Sequence, residues 1–145
     1  MVFSRACEYG IRATLYIAHQ SLNKERATLK DIAAEIDSPV AFTAKILQKL
    51  TRENLISSTK GPTGGFTLDS TKMQNTKLLE VVEAIDGKEL FTQCGLGLKE
   101  CSETHPCPVH KEFKHIRDKL HNMFDSTSIY DLAVDLENKK TYLKR

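Results

Sequence analysis

At 145 residues, 40% apolar and 28% charged, the chain is sized for one domain with a modest extension and holds enough apolar side chains to fill a core. No apolar run approaches the ~20 residues of a membrane span, and the opening MVFSRACEYG lacks the apolar stretch of a signal peptide, so the sequence predicts a cytoplasmic protein with no membrane partner. The formal net charge of +2 points to no partner by itself; its distribution along the chain is more telling.

In chain order, residues 3–22 read as an amphipathic helix. Ser4 is placed to cap it, and Phe3, Cys7, Ile11, Leu15, Ala18 and Leu22 recur every three or four positions. After a polar connection, Thr28 caps a second helix whose apolar face is Leu29, Ile32, Ala33 and Ile36, with Asp31 in its first turn. Ser38-Pro39 reads as cap and first residue of a third helix, with Ile46, Leu47 and Leu50 as its buried stripe. Lys45, Lys49 and Arg52 follow i, i+4, i+7 spacing on a different, solvent-facing side.

The run LISSTKGPTGGFTL, residues 55–68, places two β-capable segments around a glycine-rich tip, the pattern of a hairpin. Three helices followed by such a hairpin predict a mainly α fold with a small β wing, a winged helix-turn-helix. A fourth helix, KLLEVVEAID, is expected after Thr76 and ends at Gly87. The boundaries expected from this pass are a DNA-binding region over 1–87, a polar cysteine-bearing loop over 88–107, a long helix with a short final one over 108–135, and a loose charged tail over 136–145.

The long helix is expected from Pro108 to about Phe124. Val109, Phe113, Ile116, Leu120 and Met123 form a stripe spaced 4, 3, 4, 3, which is the seam of a helix that packs against a second helix. The N-terminal helices already have apolar faces of their own to fill, so a homodimer through this stripe is expected.

Residues 38–68 carry Lys45, Lys49, Arg52 and Lys60 against Glu53 alone, a local excess of positive charge that suits a phosphate backbone. The third helix is the element that would enter a major groove. Its early positions are small or apolar, so Thr43 is the polar candidate for base contact. Lys45, Lys49 and Arg52 are candidates for phosphate, and Lys60 and Gly64 are candidates for contact from the wing. The expected partner is double-stranded DNA with a near-palindromic operator, because a twofold dimer reads two half-sites.

Three of the four cysteines, Cys94, Cys101 and Cys107, fall within 14 residues. Thiolates are soft ligands that suit iron–sulfur clusters or zinc. A zinc site using these three and His110 is open on chemistry, although the CxxC knuckle common in zinc folds is absent. A reversible disulfide is open as well. Cys7, on the apolar face of the first helix, reads as a core residue. Nothing in the sequence assembles a catalytic constellation, so neither an enzyme nor a small iron–sulfur electron carrier is favoured.

The segments LQKLTRENLISSTKGPTGGFTL and TKLLEVVEAIDG, together with the cysteine loop, resemble the Rrf2 family of winged-helix bacterial transcriptional regulators of the IscR and NsrR type. The resemblance covers roughly residues 1–135. It implies a homodimeric repressor with an iron–sulfur cluster, 2Fe–2S ahead of 4Fe–4S, held by Cys94, Cys101 and Cys107. It implies sensing of redox state, nitric oxide or cluster supply. For the fourth ligand it offers two positions: His110, three residues after the last cysteine, or Glu8, reaching in from the other subunit. The first gap between the cysteines is longer than the family pattern. Thr63 interrupts the usual glycine run of the wing, and Ala44 stands where IscR-type members carry a glutamate.

Overall fold

A computed structural model describes residues 2–145. Among these, seven α-helices and one two-stranded hairpin gather around a single core.

Helix α1 spans Arg5–Leu22, and Ser4 Oγ accepts from the Cys7 amide at 3.0 Å, the expected cap. The Ser4 amide and hydroxyl both bond to Asp86, which ties the start of α1 to a point 82 residues further along the chain. Helix α2, Leu29–Glu35, starts with a capping box: Thr28 Oγ1 accepts from the Asp31 amide at 3.2 Å and the Thr28 amide donates to Asp31 Oδ2 at 3.3 Å. Helix α3 is Val40–Arg52. Here Pro39, not Ser38, takes the cap position, and the Ser38 hydroxyl is buried without a partner. Asn54 ends α3 in the left-handed region at φ 59°, which asparagine tolerates better than most residues.

The wing pairs β1, Ser57–Thr59, with β2, Gly65–Thr67, with Ser58 opposite Phe66. Ala27 exchanges both backbone bonds with Phe66, at 3.1 and 2.8 Å, so the chain entering α2 acts as a third strand behind the wing. A short helix that the periodicity did not reveal, α4 over Ser70–Asn75, is capped by Asp69 and buries Met73. Helix α5 follows as Leu78–Asp86; Lys77, one residue later than expected, is its cap.

A single 3₁₀ turn, Glu89–Phe91, opens the cysteine loop. Helix α6 is His110–Ser126, starting two residues later than Pro108, and α7 is Ile129–Glu137. Ser128 caps α7 through the Asp131 amide. Helix α7, the expected short final helix, packs on α1 and α4, and beyond it residues 138–145 are exposed except for Leu143, which packs against the core.

Ile17, Ile32, Ile36, Leu47, Leu50, Leu68, Val81, Val82 and Ile129 are fully buried. Each contributes about 1.5–3 kcal/mol of apolar burial, so the first three helices, the wing base and α7 share one core. Helix α6 joins it along one side only. Phe124 sits between Phe3, at 5.3 Å between ring centres, and Phe91, at 6.0 Å. No helix is long and apolar enough to cross a membrane among the described residues.

Candidate cysteine site and nucleic-acid interface

The loop between α5 and α6 brings two of the predicted ligands, Cys101 and His110, into contact. Cys101 Sγ lies 3.5 Å from His110 Nδ1. Cys107 stands near enough to act on the Cys94 thiol. The Leu96 amide points at Cys94 Sγ from 3.4 Å. That amide and the one from Leu98 pull the Cys94 thiol below its ordinary value, with smaller help from Cys107 and Gly97 and against the effect of partial burial. Among the described residues no three His, Cys, Asp or Glu side chains gather tightly enough to hold a single metal ion.

The backbone that carries these groups is shaped by α6. The His110 amide donates to the Cys107 carbonyl at 3.0 Å, a turn that sets the last cysteine against the helix start. Gly95 lies directly under the Phe113 ring. Arg117, two turns beyond His110 on the same side of α6, is only 8% exposed. Its Nη1 donates to the Gln93 carbonyl at 2.6 Å and reaches Cys101 Sγ at 3.5 Å. Helical side chains lean toward the N-terminus, which lets Arg117 and His110 meet one sulfur from two turns apart. Sequence reading missed Arg117, because an arginine on an amphipathic helix is ordinarily placed in water.

Cys7 is not part of this cluster. Burial, and then Asp86 and Glu8, push its thiol up to about 12, so it stays protonated in the core. The side-chain partners of Cys101 are His110 and Arg117.

Four of the five stripe residues face outward on α6: Val109, Phe113, Ile116 at 63% exposure and Met123 at 51%. Leu120 is different, since it turns inward and packs partly on its own core.

On the nucleic-acid side, Thr43 requires correction. It is fully buried, and its hydroxyl donates to the Pro39 carbonyl at 2.9 Å, so it cannot meet a base edge. Positions 43, 46, 47 and 50 form the inward stripe of α3. Lys45 is exposed as expected. Lys49 is exposed but lies at the α5 edge of α3, with Nζ donating to the Ile85 carbonyl at 3.2 Å. Arg52 and Lys60 line a groove of about 620 Å³ between α3 and the wing, together with Ala44, Gln48, Ser58 and Phe66. Gln48 is exposed there and was missed by sequence reading; its position one turn from both Ala44 and Arg52 was the available signal. At Gly64 a side chain would collide with the Thr59 and Gly61 carbonyls, so the glycine is required by the turn itself, whatever it approaches. A second aromatic and basic group lies along α1: Tyr9 meets Phe42 edge-on at 5.7 Å, with the guanidinium groups of Arg12 and Arg5 at 5.1 and 6.0 Å from its ring.

This arrangement of winged helix, three-cysteine loop and long outer helix matches a family description, "Iron-dependent Transcriptional regulator", over residues 3–135. The chain belongs to the Rrf2 family. An HTH-type transcriptional regulator of Aquifex aeolicus is 29% identical over 145 residues, covering 98% of this chain and 97% of that protein. The HTH-type regulator IscR of Photorhabdus laumondii is 25% identical over 129 residues, 89% of this chain and 77% of that one. Among solved structures, CymR, the global cysteine regulator of B. subtilis, superposes with a TM-score of 0.73 at 21% identity, over 91% of this chain and 95% of its own. These Rrf2 relatives are transcriptional regulators and not enzymes, and this chain is a transcriptional regulator with their fold.

Proposed function

We propose that this Rrf2 protein is a DNA-binding repressor that senses through an iron–sulfur cluster held by Cys94, Cys101, Cys107 and His110. The observation that carries the reading is the contact between Cys101 and His110 at 3.5 Å, in the same loop that carries Cys94 and Cys107. A zinc ion asks four donors to surround one point. Donors that do not converge on one point suit a core with several irons, whose ligands attach at different atoms. The buried Nε of Arg117, which has no partner, also points to negative charge in the loop. The family description as iron-dependent agrees.

In this reading the three thiolates and the imidazole anchor a cluster, 2Fe–2S in preference to 4Fe–4S. When bound it supplies a one-electron redox change and a centre open to small oxidants. The chain's own part is to bind it at the start of α6 and pass its presence to that helix. Two copies meet through the outward stripe of α6, and the pair reads a near-palindromic operator. Arg52, Lys60 and Lys45 take phosphates. Gln48 replaces Thr43 as the candidate for base contact.

The test is anaerobic purification or reconstitution, followed by iron and sulfide analysis, absorption spectra, and selection of operators from random DNA. The wild type should carry iron and sulfide, and a variant with Cys94, Cys101 and Cys107 all changed to Ala should carry none while remaining folded. Equal affinity of both for the same operators would falsify the sensor reading. His110→Ala and Glu8→Ala separate the two fourth-ligand positions, and only the His110 change should alter the cluster spectrum.

The Cys94 thiol, held below its ordinary value by the Leu96 and Leu98 amides, favours one second reading, a thiol switch between Cys94 and Cys107. Peroxide would join these two sulfurs in a disulfide, the thiols giving up two electrons and two protons as peroxide becomes water. Peptide mapping of oxidised, cluster-free protein would show a linked Cys94–Cys107 peptide in that case and unlinked thiols otherwise.

A further inference from the structure

Arg117 is a cation in the wrong place for an ordinary helix residue. It is 8% exposed, yet no carboxylate lies within ion-pair distance of its guanidinium among the described residues; the neighbouring ion pairs join Lys114 to Glu103 and Asp118 instead. One of its nitrogens bridges the Gln93 carbonyl and Cys101 Sγ, and its Nε is buried with no partner at all. Arginine keeps its charge, so it cannot relieve burial by losing a proton. A buried unpaired cation is costly and calls for an anion. The group facing it is sulfur, not carboxylate.

We infer that Arg117 is the charge-balancing and positioning residue of the cluster proposed above, holding Cys101 in place as a ligand and stabilising the more negative, reduced state. The inference rests on that reading of the loop. Two contributions follow from the geometry. The guanidinium donates a hydrogen bond to a ligating sulfur, and such bonds raise a cluster's reduction potential. It also binds the carbonyl of the residue before Cys94, so one side chain fixes the backbone at the first cysteine and the sulfur of the second. When an external one-electron donor reduces the cluster, the site gains a negative charge beside a cation that is already in place. No proton has to move for the charge to be balanced.

The experiment uses full-length protein, reconstituted anaerobically, in wild-type, R117M and R117K forms. The midpoint potential is read by titration with dithionite as the electron donor, alongside absorption and circular dichroism spectra and the rate of cluster loss in air. R117M should shift the reduction equilibrium at least tenfold toward the oxidised state, which is about 59 mV for one electron. It should also lose its cluster faster. R117K should fall between the two, because it restores the charge but not the planar fork. A loaded R117M with an unchanged potential overturns the inference and leaves the cluster reading intact. If R117M is folded but takes up no cluster, rescue by R117K supports the inference, and failure of R117K to rescue overturns the charge role. A wild type that takes up no cluster overturns both.

Discussion

Phe113 lies flat on Gly95, so that a carbon added at position 95 would fall 2.7 Å from the aromatic ring. The same phenylalanine is part of the outward stripe of α6 and is half-exposed. One side chain therefore touches both the residue after Cys94 and the face expected to meet a second copy. Gly95→Ala should displace Phe113 and destabilise the fold by about 1–3 kcal/mol, the usual cost of overpacking. Urea denaturation measures the loss, and the self-association constant should weaken in the same variant. A Gly95→Ala protein with wild-type stability and association would show that ring and loop move independently.

The outward stripe itself gives the second prediction. Ile116 and Met123 are exposed on a single copy, so Ile116→Glu with Met123→Glu should leave the fold intact. The pair should convert dimers to monomers by analytical ultracentrifugation and weaken operator binding. Persistent dimers would place the interface elsewhere. Leu120 is a poorer target, because it also packs on its own core.

Neutralising Arg52 or Lys60 should lower the slope of binding against salt by about one for each lost phosphate contact. Lys49→Met should change it less, since that ammonium is already engaged by the Ile85 carbonyl. Gln48→Ala should cost about 1–3 kcal/mol of discrimination between operators if it reads a base edge. Thr43→Val should behave differently, costing about 1 kcal/mol of stability with no change in operator preference. Equal salt slopes for all the charge variants would show that this face does not meet DNA.

A pH effect comes from the far side of the molecule. Asn23 donates to Glu137 Oε2 at 2.8 Å and His19 Nε2 lies 2.7 Å from the same oxygen. The Asn23 hydrogen bond holds the Glu137 carboxyl below its ordinary 4.5; burial works against it, and His19 adds to the lowering. The unfolded chain therefore takes up this proton more readily than the folded one. The stabilisation is complete above the ordinary carboxylate value and is lost as pH falls through the lower folded value. Urea midpoints of wild type and Glu137→Gln should differ at pH 7 and converge in acid. A difference that stays constant across the titration would remove Glu137 from the account.

The parts legible in the sequence were those whose physics is local. Thr28 and Asp31 announce their capping box three residues apart, and the Lys60–Gly65 run announces a tight hairpin tip. The contact between Cys101 and His110 was legible because the two lie nine residues apart in the sequence. What escaped depended on which way a polar residue turned. Thr43 reads as exposed because it is polar, but its hydroxyl is satisfied by its own helix and so buries at little cost. Arg117 hid for the opposite reason, since its partners, Gln93 and Cys101, lie 24 and 16 residues back in the chain. Helix α4 is six residues long, too short for a periodic pattern to emerge.

The two ends of α6 are held by unequal means. At its C-terminal end the Leu78 amide bonds the Thr127 carbonyl at 2.9 Å and the Ile129 amide bonds the Thr76 carbonyl at 3.0 Å, a rigid backbone clasp onto α5. At its N-terminal end the helix hangs from the cysteine loop. A helix of 17 residues is about 25 Å long, so it works as a lever with its fulcrum at Thr127. A tilt of about 5° carries the His110 end through roughly 2 Å while the clasp stays still. Small changes in how the loop is drawn together are thereby geared up into displacement of the outward stripe, most at Val109 and least at Met123.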